Sequence, residues 1–255
     1  MKHLPLTMPL IDHITELRRR ILFTLTLFVL AMIAALFLSP ELLNYLKSVP
    51  PATAITWNVF SPWDALRMYM SIAFVIAAAI TLPFALYQLW LFVKHGLSKE
   101  EQSATLRYIP YSVISFLTGL SFAYFVVFPM SFSFTSRIAH SMNLVETYGI
   151  AQYFGFMLSI VLPLAVAFEL PIIVMFLTRI GLLNPRGLSR MRRFAYVILV
   201  VVASLISPPE FISHLMVFVP LVLLYEISVV LSRVVYNRRA KTMNLNLDHT
   251  APTSS

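Results

Sequence analysis

Acidic side chains are scarce in this sequence, and those set among apolar neighbours are where chemistry could be done. The 255 residues hold 11 Asp and Glu against 19 Lys and Arg. Glu169 lies within Ala165-Val166-Ala167-Phe168-Glu169-Leu170-Pro171. A carboxylate buried in hydrocarbon costs about 2.5–3.5 kcal/mol even on lenient insertion scales, so it must be protonated, paired or turned toward a cavity. Pro163 and Pro171 flank it, and each leaves an upstream carbonyl without its helical donor. The expectation is a bent, locally polar helix. Such an acid is either glue between helices, bonded to a freed carbonyl, or a functional site; intramembrane acids favour the second reading. Glu226 lies in a later apolar run, about two turns before Arg233, and could simply pair with that basic end.

Two further acids sit at the ends of apolar runs. In Pro9 to Ile21, Leu10, Ile14, Leu17 and Ile21 fall on one helical face, with Asp12, Glu16, Arg19 and Arg20 off it, which predicts an amphipathic helix at a membrane interface. Glu16 and Arg20 are four apart, so an ordinary surface pair worth a few tenths of a kcal/mol explains them locally. Ser98 and Glu101 have capping-box spacing and predict the start of a helix. A carboxylate at a helix start still faces water, so neither local explanation excludes a second role.

The elements that must position these acids are membrane spans. Apolar residues make up 59% of the chain and charged residues 12%, with a mean hydropathy of +0.81. Soluble domains carry about 25% charged residues, so there is too little polar surface here for a water-soluble globule. Stretches of about 20 apolar residues cross ~30 Å of hydrocarbon, and lipid obliges them to be helices. An all-α, polytopic membrane protein follows. Six spans are expected, at about 21–38, 68–92, 108–129, 153–177, 194–206 and 215–231. The fifth covers only 13 residues, a rise of about 20 Å. Pro208-Pro209 follows it, and Pro220 interrupts the sixth. Two short adjacent spans either tuck into the bundle or form a thin edge.

Alternate loops differ sharply in charge. One side of the membrane receives 16 of the 19 Lys and Arg; the other receives only Lys47, Arg67 and Arg137. The positive-inside rule therefore places both termini in the cytoplasm. The net charge of +8 thus reports topology before it reports any nucleic-acid partner. Residues 1–236 are expected to form a single membrane domain, and the polar tail 237–255 to be disordered.

Several chemistries lack their residues. There is no cysteine, and the six histidines, at 3, 13, 95, 140, 214 and 249, show no ligand spacing, so no metal or cofactor is called for. GxxxxGK[ST], HExxH and GxSxG motifs are absent, which leaves ATP hydrolysis and common enzyme chemistry without a seat.

Five segments, in order, carry a resemblance: His13-Ile14-Thr15-Glu16-Leu17-Arg18-Arg19-Arg20, Tyr87-Gln88-Leu89-Trp90-Leu91-Phe92, Phe122-Ala123-Tyr124-Phe125-Val126-Val127-Phe128-Pro129, Phe168-Glu169-Leu170-Pro171 and Ser207-Pro208-Pro209-Glu210. The sequence resembles the TatC family, the multispanning receptor subunit of the twin-arginine protein translocase, over about residues 8–239. The resemblance implies a concave cup of six helices in the bacterial cytoplasmic membrane. It implies binding of twin-arginine signal peptides and export of folded proteins driven by the proton-motive force. The implied partners are TatA- or TatB-type single-span proteins and further copies of the chain. By position, Glu16 and Glu101 match the family's acids that meet the arginines, and Arg18 and Phe92 match the same surface. Glu169 matches the polar residue of the fourth span. Ser207, His214 and Glu226 fall on the partner-docking edge, and Pro208, Pro209 and Glu210 on the loop outside it. Ile14, Ser207 and Glu210 depart from the family's usual leucine, threonine and aspartate. A proton-coupled small-solute transporter built on Glu169 is the alternative reading.

Overall fold

The computed structural model describes residues 10–94, 102, 106, 108–206 and 211–250, of which 10–13, 54, 211–213 and 239–250 are described by backbone alone. Among the described residues every regular element is a helix, apart from a single bridge between Asn58 and Gly149. Five helical stretches are long and apolar enough to cross a membrane. The fifth expected span is the 15-residue helix Arg192–Ile206, about 22 Å long, and it falls short of that standard as its sequence predicts. The described residues divide into two compact units, one of residues 1–53 and 65–109, the other of 54–64 and 110–255.

The first unit is built on α1 (Leu10–Lys47) and α2 (Asp64–Val93). The interfacial helix and the first span, expected as two elements, are one helix of 38 residues. Nothing between Arg20 and Ile21 breaks the backbone ladder, so the amphipathic turns run straight into the apolar ones. Nor does the helix stop at 38, where the first span was expected to end. Pro40 lies inside α1, and Ser39 donates its hydroxyl to the Ala35 carbonyl at 2.7 Å. The one backbone bond that Pro40 deletes falls near the end of the apolar run, where water can replace it. Antiparallel packing of α1 and α2 is marked by an edge-on Phe28–Phe74 pair, 5.5 Å between centroids. Ala31, Ala35, Ala73 and Ala77 are buried; small side chains let membrane helices approach closely.

In the second unit, α3 (Tyr108–Ser141) continues twelve residues beyond the expected end at 129. Pro129 does not stop it because a π-helical turn, Ala123–Val127, precedes the proline, with the Phe128 amide donating to the Ala123 carbonyl. The wide turn re-registers the ladder around the missing donor. Next come α4 (Ile150–Ala167) and α5 (Leu170–Arg179), then the short α6 (Pro185–Arg190), α7 (Arg192–Ile206) and α8 (Phe211–Thr250). The helix α8 passes through residue 236, where the membrane domain was expected to end. Asn184 caps α6 by accepting from the Arg186 amide at 3.0 Å. The core gathers Phe116, Phe128, Phe154, Ile160, Leu164, Val217 and Leu221, all almost fully enclosed. Segment 54–64 is sewn onto this unit. Trp57 stacks on Phe154, and the Ile150 amide donates to the Asn58 carbonyl at 2.9 Å.

Candidate functional site

Two acids occupy distinct settings, one in each unit. In the first unit, one oxygen of Glu16 accepts from the Arg20 guanidinium at 3.0 Å, so the local pair expected from their spacing is formed. Arg20 reaches further, donating through its other terminal nitrogen to the Gln88 side-chain oxygen at 3.2 Å. Gln88 is buried, an amide within the apolar run of α2. The result is a chain of three side chains tying α1 to α2. Beside it a groove of about 440 Å³ runs between the two helices, with Leu17, Arg20, Gln88, Leu89 and Phe92 at one end. Phe92 is half-buried, and Arg18 is exposed. Trp90 is buried, stacked with Tyr87 and covered by the Lys94 ammonium 5.3 Å from its ring centre.

The groove thus joins Phe92 to the turn that carries Glu16, two of the expected recognition residues. Glu101 and its capping partner Ser98 lie outside the described residues, as do Ser207, Pro208, Pro209 and Glu210. His214 is half-buried near the start of α8.

In the second unit Glu169 is 1% exposed. The helix breaks at Phe168 and Glu169, just ahead of Pro171. Pro163, the other flanking proline, stays inside a continuous α4. The sequence pattern located the bend in the right region but could not say which proline sets it. Three residues of α3 meet the break. Ser112 donates to a Glu169 carboxyl oxygen at 3.1 Å, Ser115 donates to the Phe168 carbonyl at 2.6 Å, and Gly119 lies directly against Phe168. A Cβ on Gly119 would stand 2.6 Å from the Phe168 Cβ and Cγ, so only glycine admits this approach. The second Glu169 oxygen is buried with no hydrogen-bond partner among the described residues. The carbonyl bonded across the helices is that of Phe168, with Ser115 as its donor, and the acid itself bonds to the Ser112 hydroxyl rather than to a carbonyl.

Glu226 is paired, though not with Arg233. Arg192 donates to one of its oxygens at 2.8 Å and Tyr196 to the other at 2.6 Å. Both come from α7, which lies against α8, so the short helix supplies the partner that chain proximity suggested elsewhere. Arg233 instead donates to Ser189 at 2.9 Å. A buried hydroxyl pair, Thr178 and Ser232 at 2.8 Å, ties α5 to α8.

The sequence reading missed Ser112, Ser115, Gly119, Gln88 and Arg192 as partners. For the first three a signal existed. Positions 112, 115 and 119 carry small residues at helical spacing, the pattern by which membrane helices approach each other.

Comparison with known proteins gives a consistent likeness. The family described as Sec-independent protein translocase protein (TatC) matches residues 12–220. A TatC protein of Halalkalibacterium halodurans is 47% identical over 93% of this chain and 94% of its own length. TatCy of Bacillus subtilis (strain 168) is 43% identical over 94% and 95%. Among solved structures, the crystal structure of a twin-arginine translocase receptor, TatC, superposes with a TM-score of 0.76 at 28% identity, covering 88% of this chain and 99% of that one.

Proposed function

Because this chain belongs to the TatC family of Sec-independent protein translocase proteins, we propose that it is the receptor that binds twin-arginine signal peptides. It is a multi-pass transport protein of the membrane, and the solute-transporter alternative finds no support among its relatives. The single observation that supports peptide recognition most directly is the Glu16–Arg20 pair, 3.0 Å long and side by side with the groove that Phe92 lines. It is a partly shielded carboxylate already accepting a guanidinium at the end of a membrane helix. A carboxylate has two oxygens and about four acceptor sites, and guanidinium offers a rigid donor fork. Two acids, Glu16 and Glu101, suit two arginines, with Arg18 and Phe92 completing the surface.

In this reading both termini are cytoplasmic and the host membrane is the bacterial cytoplasmic membrane. Residues 1–236 act as one membrane domain with a polar tail. TatA- or TatB-type single-span partners dock along α7 and α8, with His214 and Glu226 of α8 in the contact and Ser207 assigned to it by position in the sequence alone. Pro208, Pro209 and Glu210 are assigned to the outer side by their place in the sequence. Glu169 serves as an intramembrane polar contact, several copies assemble, and the proton-motive force drives export.

The test is binding of a twin-arginine peptide, and of its Lys-Lys counterpart, to the purified full-length protein. Glu16→Ala and Glu101→Ala should each weaken the Arg-Arg peptide about 10-fold, the usual scale for losing a hydrogen bond to a charged group. The Lys-Lys peptide should bind weakly throughout. A double variant that held the Arg-Arg peptide as tightly as the unaltered protein would refute the carboxylate assignment.

A further inference from the structure

We propose that the groove between α1 and α2 is a lipid site, holding one hydrocarbon chain of an anionic phospholipid with Arg20 at its headgroup end. The groove follows α1 from Leu17 to Phe28 and α2 from Phe92 back to Thr81. Each stretch advances eleven residues, about 16 Å at 1.5 Å per residue. Spread over that length, 440 Å³ leaves a mean cross-section of roughly 27 Å². A helix with its side chains is about 10–12 Å across, or roughly 80–110 Å², so a peptide helix does not fit inside. A single extended hydrocarbon chain does. Between the ends the wall is mainly apolar, formed by Ile21, Leu25 and Ala85 with Thr24, whose hydroxyl is taken up by the Arg20 carbonyl. Thr81, at the far end, carries a buried hydroxyl without a partner among the described residues; its own helix offers that hydroxyl a carbonyl one turn back. Both walls are membrane-spanning helices, so the medium at hand to fill the groove is lipid.

Charge distinguishes the two ends. At the Leu17 end the Arg20 Nε is buried and has no acceptor among the described residues, while its terminal nitrogens are held by Gln88 and Glu16. A phosphate oxygen would supply that acceptor, and guanidinium recognises phosphate well. Arg18 and Arg19 are exposed in the same turn and Lys94 directly follows α2, whereas Glu16 is the one acid in 14–25 and 80–94. The surplus cations select an anionic headgroup over a zwitterionic one.

The experiment uses full-length protein, delipidated in detergent and examined by native mass spectrometry. Phosphatidylglycerol should form adducts at least fivefold more readily than phosphatidylcholine with the same chains. Lysophosphatidylglycerol should still bind, and glycerophosphoglycerol, a headgroup without a chain, should not. Ala85→Trp and, separately, Thr24→Phe fill the groove and should lower phosphatidylglycerol binding at least fivefold. Arg20→Gln should keep chain binding and lower the headgroup preference at least twofold, the remainder being due to Arg18, Arg19 and Lys94. Equal binding of the two lipids to the unaltered protein would overturn the proposal, whether or not the variants fold. So would undiminished binding in a correctly folded filled-groove variant. Displacement of phosphatidylglycerol by a twin-arginine peptide whose own binding fails in Ala85→Trp would overturn it too, by giving the groove to the peptide's apolar segment.

Discussion

Glu16 and Glu169 are the same residue in opposite surroundings. Glu16 has a full positive charge 3.0 Å away and sits at the end of a membrane helix. Glu169 has a single neutral hydroxyl, Ser112, and is 1% exposed. The first setting suits an acid that trades one cation for another, because a pair at the interface forms and breaks at little cost. The second suits an acid whose position is fixed by packing, because hydrocarbon makes an unpaired charge expensive. In the proposed reading, ligand exchange calls for a carboxylate beside a cation at a helix end, and helix registration for the same side chain enclosed by packing.

The sharpest way to break this contrast is to put a fixed charge at the buried position. Glu169→Lys should abolish export of a twin-arginine reporter in cells lacking their own copy, whereas Glu169→Gln, which keeps an acceptor for Ser112, should retain about half or more. Normal export by the lysine variant would contradict the burial of this side chain. Next in size is Gly119→Ala. The added carbon would meet Phe168 at 2.6 Å, and overpacking of this kind costs about 1–3 kcal/mol. Thermal unfolding in detergent should show it as a lower Tm. Gly155, with open space around its missing side chain, serves as the control: Gly155→Ala should leave Tm unchanged or slightly raised.

Ser112→Ala should be milder, about 0.6 kcal/mol, the average for a hydrogen bond between membrane helices. Smallest of all is Glu16→Gln, expected to shift stability by only a few tenths of a kcal/mol while lowering affinity for the Arg-Arg peptide. If Glu16→Gln destabilised the protein more than Ser112→Ala, the division between an exchanging acid and a registering acid would fail.

Much of this was legible before any coordinates. Span positions follow from hydropathy because lipid admits few alternatives, and the short α7 was visible as a 13-residue run before Pro208. Helix ends were less so. Pro40 and Pro129 look like stops, yet both lie inside helices, one where the apolar run is ending and the other beyond a π-helical turn. A missing donor stops a helix only when nothing nearby compensates. Glu169 stood out by its depth, but its partners did not. Ser112 lies 57 residues away in sequence, and a serine in an apolar run looks the same whether it bonds across helices or back to its own. Glu226 teaches the same lesson, since proximity in the chain pointed to Arg233 while the fold delivered Arg192.

The length of α1 has a mechanical consequence. Its 38 residues span about 57 Å, nearly twice the ~30 Å of hydrocarbon. A continuous helix behaves as a lever, so tilting it by about 10° about one end sweeps the other through roughly 10 Å. Pro40, lacking one backbone bond, is the joint at which such a lever yields first.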